Sequence, residues 1–328
     1  MNTKIRNPRL SLRDLGITLP EDNSSTANID LSTLPEEDKV FLSVKQALTD
    51  GYAGVILRGP PGTSKSWYAK EIALAIANGD AEAAYFVQFH PSYQYEDFIE
   101  GWVPNSSGGF ELRPKMFLNL CSHAEAHPDR AFVLVIDEIS RSDAARVFGE
   151  ALTYLETSKR GMEFSLASGT KANVPANLII IGTMNPWDRG VDEIDVALLR
   201  RFAQIDMPPD SQLLDQLLTE NGVERRVIDA VVQFFAALQK QSNPMLHIGH
   251  AYFAHVKSAE SLTRVWQFQL RHHFKSACRL EPDELKKLEG MWSQMVIPSF
   301  TPEPAPENNN DGAHVVSETQ PNAERQSA

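Results

Sequence analysis

Apolar runs and helical stripes alternate along the first two thirds of the chain. The runs are VIL at 55–57, AYFVQFH at 84–90, AFVLVI at 131–136, NLIIIGTMN at 177–185 and AQIDMP at 203–208. The run at 131–136 has no polar interruption, so it reads as a strand buried on both faces of a parallel sheet, and 177–185 reads the same way. Between the runs, Val40, Phe41, Val44, Ala47 and Leu48 fall on one helical face. A second helical pattern, WYAKEIALAIAN, follows residue 66, another runs from Lys115 to Ala126, and Val147, Phe148, Ala151, Leu152 and Leu155 form a stripe over 144–156. KRGMEFSLASGTKANVP reads as a hairpin turning at Ser168 and Gly169, and DVALLRRF as a helix. These elements predict an α/β core over residues 35–209 around a parallel five-stranded sheet. From Asp210 the strands stop. SQLLDQLLTE, RRVIDAVVQFFAALQK, HAYFAHVKS, LTRVWQFQLRHHFK and DELKKLEGMWSQ all read as helices, which predicts a small α-helical lid domain over 210–298. Residues 1–34 read as a flexible arm and 299–328, rich in Pro, Glu, Asn and Ser, as a disordered tail.

Chemistry concentrates where the first run ends. In VILRGPPGTSKS, Gly59 and Gly62 flank a loop that closes on Lys65 and Ser66 at the start of a helix. This is the pattern of a phosphate-binding loop, whose N–H groups and following helix N-terminus face a polyphosphate. Gly59, Pro60, Pro61, Gly62, Thr63, Ser64, Lys65, Ser66 and Trp67 are the candidate nucleotide-binding residues, with Lys65 on the β and γ phosphates and Ser66 on Mg²⁺. One position departs from G-x-x-x-x-G-K-[ST]: Ser64 stands where Gly is usual. A glycine turn ahead of a surface helix is the competing reading of the loop alone.

Downstream partners weigh against it. Asp137 and Glu138 end the buried run at 131–136, and two adjacent carboxylates there are costly without a task. In a nucleotide enzyme Asp137 orders the metal and Glu138 polarises the attacking water. Asn185 tips the next buried run and reads either as a contact to the γ-phosphate or water, or as a turn former before Pro186. Arg200 and Arg201 close the helix DVALLRRF and read either as a solvated terminus or as an arginine finger for a neighbouring subunit's nucleotide. The aromatic and acidic stretch PSYQYEDFIEGWVPNSSGGF reads either as a surface excursion or as an insertion projecting toward a central pore.

Composition narrows the classes further. At 328 residues the chain has room for about two domains. A net charge of −12 argues against a surface that wraps nucleic acid, so contact with DNA is expected to be indirect or through a ring partner. Cys121 and Cys278 are the only cysteines and lack metal-ligand spacing. No apolar run approaches a membrane span and the N-terminus has no signal-peptide core, so the expected location is cytoplasmic.

Taken in order, these parts resemble an AAA+ nucleotidase, and within that class the McrB-like NTPases of restriction systems, near the dynein-related and MoxR-type groups. The closer match rests on QFHPSYQYEDFIEGWVP (88–104), VIDEISR (135–141), FGEALTYLE (148–156), IIGTMNPWDRG (180–190), D-x-A-L-x-R-R-F from Asp195 and IGHAYF (248–253). The resemblance implies a P-loop αβα core with a helical lid, and a homo-oligomeric, hexameric ring hydrolysing ATP or GTP with Mg²⁺ at subunit interfaces. It implies that Asn185 and Asp188 position the hydrolytic water and that Arg200 and Arg201 act in trans. It also implies a motor subunit for a McrC-like nuclease or other effector in anti-phage defence, here without the N-terminal DNA-reading domain of McrB. Three positions depart from the family pattern: Ser64 for Gly, Ser140 for Asn and Leu199 for Arg. The alternative is a MoxR-type remodelling chaperone or a nucleotide-gated scaffold with little hydrolysis.

Overall fold

The computed structural model of the chain describes residues 34, 35, 37–187 and 196–300. The expected arm up to residue 33, the tail from 301, and Asp188 and Asp195 lie outside the described residues.

Five parallel strands form the central sheet: β1 (Gly54–Arg58), β2 (Ala84–Gln88), β5 (Phe132–Asp137), β8 (Leu178–Met184) and β9 (Phe202–Asp206), in the order β2-β5-β8-β1-β9. The three inner strands, β5, β8 and β1, are those whose sequences are most continuously apolar, because both of their faces are covered. One face packs Val55, Leu57, Val133, Val135 and Ile181 against α1 (Lys39–Thr49) and α2 (Lys65–Ile76). The other packs Ile56, Leu134, Ile136 and Ile180 against Leu120, Cys121 and Ala124 of α4 (Met116–Ala126) and against Phe148. Asp38 starts α1 by accepting from the N–H groups of Val40 and Phe41, the expected use of a carboxylate at a helix N-cap.

The stretch 91–114 forms a short helix, α3 (Tyr95–Phe98), and an antiparallel hairpin of β3 (Glu100–Pro104) and β4 (Phe110–Pro114) that leaves Trp102 and Phe110 exposed. The second hairpin, β6 (Phe164–Ser165) with β7 (Lys171–Ala172), falls where the sequence places it. The stripe over 144–156 is not one helix. It breaks into α5 (Ala144–Phe148) and α6 (Ala151–Tyr154) at Gly149, which has φ 51° and lies against the Tyr95 ring, where a β-carbon would come within 2.6 Å of Cε2. The helix before β9 is also shorter than expected: α7 (Val196–Leu199) ends before Arg200.

Beyond residue 210 the described chain is helical: α8 (Ser211–Glu220), α9 (Arg225–Leu238), α10 (Ala259–Val265), α11 (Arg271–Ala277) and α12 (Pro282–Met295). A π-helical segment, Trp266–Leu270, joins α10 to α11. This segment has its own core, in which Phe234, Trp266, Phe274 and Trp292 meet, with Trp266 stacked on Trp292 at 4.4 Å. HAYFAHVKS does not extend as an α-helix. It is a 3₁₀ turn, His250–Phe253, pressed onto the loop after β1.

Candidate nucleotide site

The loop of residues 59–64 leaves β1 at the C-terminal end of the sheet, the end where open α/β sheets bind ligands. Its glycines are required by space. A β-carbon on Gly59 would lie 2.3 Å from the Met207 carbonyl oxygen, and Gly62 has φ 81°. The buried Thr63 hydroxyl donates to the Pro60 carbonyl at 3.0 Å and braces the curl. Ser64 adopts φ 63°, ψ 21°, the left-handed region that a β-carbon disfavours, and α2 begins at the next residue. Lys65 is 7% exposed, and its Nζ donates to the carbonyls of Gly59 at 2.9 Å and Pro60 at 2.8 Å.

Ser66, in the first turn of α2, donates from Oγ to Asp137 Oδ1 at 2.6 Å. Thr183 on β8 donates to the same oxygen at 2.6 Å and accepts from the Glu138 N–H at 3.1 Å. One threonine hydroxyl therefore ties both carboxylate residues to the neighbouring strand. Glu138 makes the turn out of β5 with φ 54°, and its carboxylate lies 3.7 Å from Arg141 Nε. Octahedral Mg²⁺ with bonds of about 2.0–2.1 Å has adjacent oxygens about 3 Å apart. Ser66 Oγ and Asp137 Oδ1 are close to that spacing and are hard oxygen donors, so this pair fits a Mg²⁺ shared with phosphate oxygens.

Asn185 lies just beyond β8, and its Oδ1 accepts from the Trp187 N–H at 3.2 Å, so it does build the turn at Pro186. Trp67 is 45% exposed on α2, edge-on to Tyr68 at 5.0 Å. Tyr68 donates to Asp38 Oδ2 at 3.2 Å, and burial, with Asp38 beside it, pushes its hydroxyl up to about 12. Next to the loop, a cavity of about 670 Å³ is lined by Asp38, Thr63, Tyr68, Asp210 and His250 among others, which is ligand-sized.

Arg200 and Arg201 do not join this group. They precede Phe202, which pairs with Gly54 at the opposite end of β1 from the loop. Arg200 is exposed and lines a second cavity of about 750 Å³ with Tyr52, Glu156 and Lys159. Arg201 is buried, donates to the Ala197 carbonyl, and lies 3.8 Å from the Glu156 carboxylate. Thr183, Glu156 and His250 lie within IIGTMNPWDRG, FGEALTYLE and IGHAYF, stretches that carry the family resemblance, yet the sequence assigns none of them to the site. Thr183 is signalled as the hydroxyl interrupting the apolar run of β8, whereas the partners of Glu156 and His250 are set only by folding.

Residues 54–202 match the family model of the AAA domain, dynein-related subfamily. The chain is 35% identical over 215 residues to the Type IV methyl-directed restriction enzyme EcoKMcrB subunit of Escherichia coli (strain K12), a match covering 61% of this chain and 47% of that protein. It is 29% identical over 188 residues to the Type II restriction enzyme BsuMI component YdiS of Bacillus subtilis (strain 168), covering 45% of this chain and 55% of that protein. The chain thus spans about half the length of the curated relatives it matches. These likenesses bear out the resemblance drawn from the motifs.

Proposed function

We propose, from the premise that this chain carries an AAA domain of the dynein-related subfamily, that it is a Mg²⁺-dependent nucleoside triphosphatase whose sites are completed between copies in a ring. The observation that carries this reading is the convergence of Ser66, Asp137 and Thr183 at the mouth of a glycine-shaped phosphate loop, with Glu138 fixed beside them. Lys65 and the loop N–H groups hold the β and γ phosphates of ATP or GTP, and the nucleoside extends toward the cavity lined by Tyr68 and His250. Ser66 and Asp137 hold Mg²⁺, which when bound offsets charge on the phosphate oxygens. Glu138 takes a proton from water as that oxygen bonds to the γ-phosphorus and the bond to the β-phosphate oxygen breaks. Asn185 and Asp188 orient the water. Arg200 of a neighbouring copy reaches the γ-phosphate, and Arg201, held by Glu156 and Ala197, sets the position of Arg200.

The cycle drives a partner, of which a McrC-like nuclease in cytoplasmic DNA restriction is the reading supported by the two restriction-enzyme relatives. The alternative, a MoxR-type remodelling chaperone or a nucleotide-gated scaffold, is favoured by one observation: the left-handed Ser64, strained where Gly would not be. Phosphate release measured against protein concentration decides between them. Turnover per chain that rises steeply with concentration and vanishes in Lys65→Ala is expected. Release that never exceeds the Lys65→Ala level favours the scaffold.

A further inference from the structure

The Ser64 hydroxyl lies 3.0 Å from Nε2 of His250, 186 residues away in the helical segment. That contact is the centre of a close docking between two parts of the chain. The Gly249 N–H donates to the Pro61 carbonyl at 2.8 Å and the Ala251 N–H to the Gly62 carbonyl at 2.9 Å. A β-carbon on Gly249 would fall 2.0 Å from the Gly62 carbonyl carbon, and one on Gly62 would fall 2.7 Å from the Tyr252 ring. A phosphate loop turns its N–H groups inward and leaves carbonyls on its outer side. Here the 3₁₀ turn of the helical segment satisfies two of those outer carbonyls, and His250 grips the loop's last residue before α2.

The grip gives Ser64 a purpose that its backbone does not. At φ 63° glycine would fit without strain, but glycine has no hydroxyl for the helical segment to hold. His250 is 5% exposed, and burial holds its imidazole below the usual histidine range, so the ring stays neutral and suited to a hydrogen bond with an alcohol. Its other ring nitrogen, Nδ1, is buried and has no hydrogen-bond partner among the described residues. The bond to Ser64 is therefore the polar contact that orients this ring.

We propose that Ser64 and His250 form a latch through which the helical segment sets the conformation of the phosphate loop, with His250 a positioning residue for nucleotide turnover. The inference rests on reading residues 59–66 as the phosphate loop of the proposed triphosphatase. It predicts that movement of the helical segment and geometry at Lys65 and Ser66, one and two residues beyond the latch, change together.

A double-mutant cycle of Ser64→Ala and His250→Ala in the full chain tests this, with His250→Gln as the conservative variant. The readouts are kcat and KM for whichever of ATP and GTP the wild type turns over faster, and Tm without nucleotide. Each single variant is expected to lower kcat about tenfold, the scale of one lost hydrogen bond, with KM within about twofold. The double variant should be no slower than the slower single, and His250→Gln should recover part of the loss. Where the wild type turns over ATP or GTP, losses that multiply in the double variant, or that appear in Tm alone, overturn the latch. If the wild type turns over neither nucleotide, the triphosphatase reading falls and the Tm cycle decides the latch by itself: non-additive shifts sustain it and additive shifts remove it.

Discussion

The two ends of strand β1 are built on opposite plans. At its C-terminal end the backbone opens into the loop, and hydroxyls from α2 and β8 each donate to Asp137 Oδ1 at the end of β5 at 2.6 Å. At its N-terminal end the backbone is gripped: Ala53 donates to the Arg201 carbonyl at 3.0 Å and accepts from Arg160 at 3.1 Å, and the Gly51 carbonyl accepts from Thr157 at 2.6 Å. The first end gathers oxygen donors and a lysine for a ligand. The second uses two arginines as internal braces and leaves one, Arg200, facing outward. The lesson is geometric. Four steps of strand, roughly 13 Å, separate Gly54 from Arg58, so if Arg200 serves a phosphate loop, that loop belongs to another copy. A single chain then holds two halves of two different sites.

The largest expected effect breaks this comparison most directly. Arg200→Ala should lower turnover by about 10³-fold or more, the scale of an arginine supplied in trans, while leaving nucleotide affinity near wild type. Mixing it with Lys65→Ala should restore part of the activity, because each variant keeps the half that the other has lost. Wild-type turnover by Arg200→Ala, at concentrations where the wild type is active, would show that the outward arginine has no part in the reaction.

At the loop end, Glu138→Gln should keep nucleotide binding and lower turnover by about 10²- to 10⁴-fold, the range for loss of a general base. The strand-to-turn backbone at Glu138 is held by the Thr183 hydroxyl through its N–H, a contact the substitution leaves in place, so the variant should fold as the wild type does. Binding by a fluorescent nucleotide analogue, measured beside single-turnover hydrolysis, separates the two. A parallel loss of binding would move Glu138 from chemistry to architecture.

How far the sequence carried each end follows from what makes each end work. The inner strands were legible because strands covered on both faces are continuously apolar, and the loop because glycine spacing and Lys65 report backbone curl and charge locally. Asp137 and Glu138 were legible as carboxylates ending such a strand. The Gly149 break was not, since it depends on where the Tyr95 ring falls after folding. The 250–253 turn was read as helix because its composition is helical and its shape is imposed by docking onto the loop. The arginine pair looked equivalent in sequence and is not, because Glu156 and Ala197 hold Arg201 inward while Arg200 stays exposed. Long-range partners of single polar residues are the part that no local pattern records.

The smallest effect on chemistry, and the sharpest on the braced end, is expected from Arg160. Its guanidinium donates to four carbonyls, those of Leu155, Pro175, Leu178 and Ala53, joining the chain after α6, the entry to β8 and the entry to β1. Burial lowers it to about 10, which still leaves it charged at neutral pH. Arg160→Met keeps much of the side-chain volume but removes the guanidinium from four carbonyls, of which that of Pro175 still accepts from the Leu178 N–H. Breaking such a charged hydrogen-bond set costs about 3 kcal/mol or more, which for a chain of 328 residues lowers Tm by roughly 4–5 °C. Because the brace and the phosphate loop sit at opposite ends of β1, nucleotide affinity measured well below the new Tm should stay within about twofold of wild type. A large fall in affinity with Tm unchanged would mean that the two ends communicate along the strand, and the division drawn between a binding end and a braced end would have to be given up.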